Sequence, residues 1–160
     1  MPDKGEHITA GAAAETYPWT IPAATGIIGS TVKIKVFDDT DDTVADTSNA
    51  NFTIKGKLAV TYPNGGETFI VGKGYTITWN SYGSISNVNI TYSTNGGNSF
   101  GGSITTALDN TNSYLWPSVP DAIGTQLRIK VANYDDTDVN DISNANFTIK
   151  GRLTVGLPNG

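Results

Sequence analysis

The stretch SNANFTIKG stands at residues 48–56 and again at residues 143–151. Its phenylalanines, Phe52 and Phe147, lie 95 residues apart (147 − 52), about the length of one small all-β domain. A second, shorter echo fixes the same period, because LTVGLPNG at 153–160 answers LAVTYPNG at 58–65. The chain therefore reads as a window onto a repeat array.

Between the two copies lies one complete unit, residues 57–151. Leu58, Val60 and Tyr62 alternate with Lys57, Ala59 and Thr61, the period-2 pattern of a strand with one buried face. PNGGE at 63–67 forces a turn, Thr68 to Val71 forms a short strand, and Tyr75, Ile77 and Trp79 mark the next. Val88, Ile90 and Tyr92 give a further inward face that stops at Asn95-Gly96-Gly97, a hairpin signal. Ile104 sits in a weaker strand, and Tyr114 and Trp116 lead into Pro117 and Pro120, which stop ladder pairing. Leu127, Ile129 and Val131, then Phe147 and Ile149, close the unit. About seven or eight short strands with turn signals every 8 to 12 residues describe a β-sandwich.

Residues 1–56 repeat only the second half of that pattern. Tyr17 and Trp19 answer Tyr114 and Trp116, and Val32, Ile34 and Val36 answer Leu127, Ile129 and Val131. The expected organisation is a C-terminal half of a sandwich repeat at 1–56, a complete repeat at 57–151, and the first strand of a following repeat at 152–160. A half sandwich exposes an apolar face and open strand edges, so a neighbouring chain or residues outside this sequence are expected to cover it.

Composition agrees with this reading and narrows function. Apolar residues make up 38% and charged residues 16%, with 18 glycines, so the chain is turn-rich and β-forming. The net charge is −5, and nine of the fifteen acids fall in two short stretches, Asp38 to Asp46 and Asp135 to Asp141. No clustered basic surface exists for nucleic acid or anionic membrane, and no apolar run approaches a membrane span. Cysteine is absent, which removes disulfides and thiolate chemistry. The N-terminal MPDKGEH lacks the apolar core of a signal peptide, so any secretion signal would lie outside this sequence.

The run V-x-Y-PNGGE-x-F-x-VG-x-x-Y-x-ITW, then NVNITYSTNGGNSF, YLWPSVP and D-x-S-x-x-x-FTI resembles the immunoglobulin-like or fibronectin-III-like repeats of bacterial secreted and surface proteins. It is also similar to the N-terminal domain of yeast cell-wall glucan-assembly proteins and of Ser/Thr-rich GPI-anchored proteins. The resemblance covers residues 58–149, and residues 17–54 match its second half. It implies an all-β fold of tandem immunoglobulin-like or fibronectin-III-like sandwich repeats of about 95 residues. It also implies an extracellular or cell-surface setting. Members serve as spacers, adhesin modules and accessory domains of enzymes, and the pattern carries no catalytic residues.

Candidate sites are few. The loops DDTDDTVAD (38–46) and DDTDVND (135–141) gather hard oxygen ligands of the kind Ca²⁺ requires, without the glycine and glutamate spacing of an EF-hand. Asp135, Asp136 and Asp138, with Asp38, Asp39 and Asp41, are the candidate Ca²⁺ ligands, set against a reading as solvated loops closed by Asx turns. Asp46 and Asp141, each followed two residues later by a serine, are expected to bond their own backbone at a strand entry. Trp19, Trp79 and Trp116 could stack on sugars, but Trp79 shares a face with Tyr75 and Ile77, which favours core packing.

STNGGNSF at 93–100 resembles the Asp-box turn of sialidase-like propellers, with Asn95, Ser99 and Phe100 in place of Asp, Thr and Trp; such boxes are structural turns. Asn51, Asn89 and Asn146 open N-x-[ST] sequons. The lone histidine, His7, has no partner pattern, and no nucleophile-base arrangement is visible, so no enzyme is expected. The alternation places Lys55 and Lys150 opposite Ile54 and Ile149, away from the interior an isopeptide bond would need.

The functional expectation is a structural and assembly repeat of a long extracellular or cell-surface protein, a stalk, filament segment or adhesin spacer. Its partners are neighbouring repeats or other copies of the chain, associating end to end through the incomplete units. A polysaccharide-binding or accessory module of a secreted enzyme is the alternative.

Overall fold

A computed structural model describes residues 16–22 and 28–157. Among them the chain is all-β, with thirteen strands and no helix. Four come before the central unit: β1 (Gly29–Val32), β2 (Lys35–Phe37), β3 (Ala45–Thr47) and β4 (Phe52–Ile54). Nine follow: β5 (Lys57–Tyr62), β6 (Thr68–Ile70), β7 (Tyr75–Tyr82), β8 (Asn87–Ser93), β9 (Gly102–Asp109), β10 (Ser113–Trp116), β11 (Gly124–Asn133), β12 (Asn140–Ile142) and β13 (Phe147–Lys150).

Strands β5 to β13 form a sandwich-like pair of sheets. One sheet has the order β10-β7-β5; the other runs β6-β13-β11-β8-β9, with β12 also paired to β11. The alternation seen in the sequence is what closes the space between them. Leu58, Val60, Ile77, Trp79 and Trp116 from the first sheet meet Val88, Ile90, Leu127, Ile129, Val131, Phe147 and Ile149 from the second in one buried cluster. Burying a Leu, Ile, Val or Phe side chain stabilises by about 1.5–3 kcal/mol, so this seam dominates the energetics. Phe69 on the short β6 stacks on Tyr75 with ring centroids 4.0 Å apart and leans on Phe147 at 5.0 Å, which anchors β6 parallel to β13.

Strand β11 is long enough to hold two partners along one edge. Its start pairs with β13 (Gly124↔Ile149, Leu127↔Phe147) and its end with β12 (Val131↔Asp141). Ser143 spans the gap between those partners: its Oγ accepts from Ile129 N at 3.2 Å, and its own N–H donates to Ile129 O at 2.9 Å. Ser143 is fully buried, so its hydroxyl does in the break what a ladder hydrogen bond does elsewhere. The sequence pattern showed neither β12 nor this serine bridge. The Asp-rich segment is therefore the turn of a β11–β12 hairpin instead of a long connection to the last strand.

The same design recurs 95 positions earlier. Gly29↔Ile54 and Val32↔Phe52 answer the β11–β13 pairs, and Lys35↔Thr47, Val36↔Asp46 and Phe37↔Ala45 answer the β11–β12 pairs. Ile34 N donates to Ser48 Oγ at 3.2 Å, the counterpart of the Ser143 bridge. The 95-residue spacing in the sequence is thus matched by the same register in the two places, although Val32, Phe37, Ala45 and Thr47 stand where the later segment has Leu127, Ala132, Asn140 and Ile142.

Candidate functional site: an open sheet face and a charged joint

Identical register does not give identical burial. Ile129 and Val131 are fully buried and Val139 nearly so, whereas their counterparts Ile34, Val36 and Val44 are 48%, 69% and 59% exposed. The difference comes from what lies opposite. In the central unit β5 packs on β11 and β12, bringing Leu58 and Val60 down on that face. Among the described residues no strand covers Ile34, Val36 and Val44 in this way, and their side chains stand open.

One polar contact fixes how β5 sits on its face. Val60 donates its backbone N–H to Asp141 Oδ2 at 2.7 Å. Asp141 was expected to bond its own backbone; instead its carboxylate reaches across to the other sheet, because Val60 N lies on the β5 edge above β12 and needs an acceptor there. Its counterpart, Asp46, is exposed on β3.

The two parts of the chain meet at a joint around Lys55 and Gly56. Lys55 Nζ lies 2.9 Å from Asp136 Oδ2 and 3.3 Å from Asp138 Oδ2. The Lys55 hydrogen bond holds the Asp136 carboxyl below the usual carboxylate range, and Asp136 in turn raises the lysine. Close packing supports the ion pairs. A Cβ on Gly56 would come within 3.0 Å of Ile85 Cδ1 and of Tyr82 O, and one on Gly83 would collide with Ile28. Gly83 also holds φ +82°, so the joint needs glycine there twice over. A cleft of about 190 Å³ lies along this joint, lined by Ile28, Ile54, Lys55, Ile85 and Asp136 among others.

The candidate Ca²⁺ ligands are used as follows. Asp38 Oδ1 accepts from Thr40 N and Oγ1 at 2.8 and 2.7 Å, and Asp41 Oδ1 accepts from Thr43 N at 3.1 Å and from its hydroxyl; these Thr bonds lower both carboxyl pKa values. Asp136 Oδ1 accepts from Asp138 N at 3.2 Å, the same Asx turn as at Asp41, while Asp135 N donates to Asn133 Oδ1. Asp39 lies exposed at the tip of the first loop. Asp136 and Asp138 are brought together on Lys55, and among the described residues no group of three or more acids or histidines is placed to hold a metal ion.

Trp79 and Trp116 are buried, and Trp79 Nε1 donates to Asn110 Oδ1 at 2.8 Å; Trp19 is half-buried. The Asp-box-like turn is a closed local network, with Ser93 Oγ accepting from Asn95 N and Gly97 N, and Asn95 Oδ1 accepting from Ser99 N. Of the sequon asparagines, Asn51 is exposed, Asn89 Oδ1 accepts from Ala107 N, and Asn146 Oδ1 accepts from Arg128 Nε. His7 lies outside the described residues. No helix among the described residues is long and apolar enough to cross a membrane. Compared with known proteins, the chain matches no family model and no curated sequence.

Proposed function

We propose that this chain is a structural and assembly segment of a long extracellular or cell-surface protein, built from tandem immunoglobulin-like or fibronectin-III-like sandwich repeats of about 95 residues and acting as stalk, filament segment or spacer. The observation that carries the reading is the joint. Lys57, the first residue of β5, follows β4 after only Lys55 and Gly56, and that short link is braced by the Lys55 ion pairs and by Ile28 against Gly83. A two-residue link with packed sides transmits orientation from one unit to the next, which is what a spacer requires and what a freely tethered binding module does not.

The burial of Trp79 and Trp116 favours this role over polysaccharide binding, which uses exposed aromatic faces. Because the chain has no cysteine, two spin labels can be placed cleanly at Thr47 and Asn98, exposed sites on either side of the joint. A single narrow distance distribution between them is expected; a broad one overturns the spacer reading. Retention on insoluble cell-wall polysaccharide would favour the alternative.

A further inference from the structure

We infer that the open face of residues 29–54 is a docking site for a second copy of this chain, and that the occupant is the partner copy's segment Leu153–Leu157. The inference deepens the assembly reading above and rests on it.

The molecule contains this face twice, and at one of the two positions the occupant is visible. Ile129, Val131 and Val139 are covered by β5, whose Leu58 and Val60 are buried and whose Val60 N–H donates to Asp141 Oδ2. A shift of 95 positions turns every member of that contact into an uncovered group. Leu58 and Val60 become Leu153 and Val155, while Ile129, Val131 and Val139 become Ile34, Val36 and Val44. Asp141 becomes Asp46. Leu153, Val155 and Leu157 are 101%, 72% and 94% exposed, so donor and acceptor are both open.

The apolar pattern and the available hydrogen-bonding groups therefore agree. In the docked state Leu153 and Val155 lie over Ile34 and Val36, and the Val155 N–H donates to Asp46. Donor and acceptor are different surfaces, so the contact is head to tail and leaves a free acceptor and a free donor at the two ends of each assembly, which then grows.

The test is sedimentation equilibrium of the 160-residue chain. A contact made by one short strand is weak, so the loading range runs from about 10 μM to about 1 mM. The expected result is an average mass that rises above 16.8 kDa with concentration. Val36→Asp spoils the acceptor and Val155→Asp spoils the donor; both side chains are exposed, so neither change threatens folding. Each variant alone is expected to stay at 16.8 kDa, and an equimolar mixture of the two to form a dimer and nothing larger. Asp46→Ala is expected to weaken association about tenfold through the lost charge-assisted hydrogen bond.

A wild-type chain that stays monomeric throughout overturns the inference. So does a Val155→Asp chain that associates like the wild type, because the apolar face is then pairing with something other than the terminal segment. Either result leaves the two-label distance across the Lys55 joint untouched, so failure of the docking is distinguishable from failure of the spacer reading.

Discussion

Val60 and Asp141 are joined by a hydrogen bond of 2.7 Å from a backbone N–H on β5 to a carboxylate on β12, which ties the two sheets of the central unit together at a point where no ladder pairing exists. Removing the acceptor leaves a buried donor unsatisfied, which costs more than the net value of an ordinary hydrogen bond. Asp141→Ala is expected to lower unfolding stability by about 2 kcal/mol, and Asp141→Asn, which keeps an acceptor, by less. Urea denaturation followed by tryptophan fluorescence measures both.

Equivalent residues in the two copies should respond differently to the same substitution. Ile129 is fully buried, so Ile129→Ala is expected to cost about 2–5 kcal/mol. Ile34 is 48% exposed, and Ile34→Ala at low protein concentration should fall within about 0.5 kcal/mol of the parent. Equal losses would show that the face around Ile34 is covered in solution.

The PNGGE turn offers a paired test of backbone and packing. Gly65 holds φ +134°, and a Cβ there would lie 2.5 Å from Ala145 Cβ; Gly66 holds φ +86° with open space around it. Gly66→Ala is expected to cost about 1 kcal/mol from the left-handed backbone alone, and Gly65→Ala about 3 kcal/mol or more because the loop must also leave Ala145. Thermal unfolding of the two variants gives the ranking, and the reverse order would refute it.

The charged joint should respond to pH and salt. The Asp136 pKa is depressed by Lys55, so its contribution is fully present above the ordinary carboxylate range and disappears as pH falls through the depressed value. The Lys55 pKa is raised by Asp136, so the lysine's contribution is present below the ordinary lysine range and is lost as pH climbs through the raised value. Between these limits the joint is expected to hold one geometry. Distances between labels at Thr47 and Asn98 should broaden in strong acid, in high salt and in Lys55→Ala, with little change in the unfolding of the central unit, because the pair is solvent-exposed.

Much of the fold was legible in advance, and the reasons are local. Alternation at Leu58-Val60, Ile77-Trp79, Val88-Ile90 and Leu127-Ile129-Val131 located strands and their inward faces, because side chains on a strand alternate strictly. Glycine pairs at 65–66 and 96–97 located turns that need positive φ. Strand β12 escaped notice because Asn140–Ile142 is short and polar, and it exists only because the far end of β11 has a free edge to offer. Asp135, Asp136 and Asp138 looked alike as acids; that Lys55 draws two of them together depends on a chain crossing of 83 residues, from Lys55 to Asp138, that no local pattern records.

The repeat SNANFTIKG by itself determined the period, and the apolar alternation ahead of each copy marked Ile34 and Val36, like Ile129 and Val131, as one inward set, because side chains on a strand alternate strictly. Tertiary structure alone decided the fate of that inward set. Burial depends on a facing sheet contributed from far along the chain, so β5 seals Ile129 and Val131 while the same face at Ile34 and Val36 stays open.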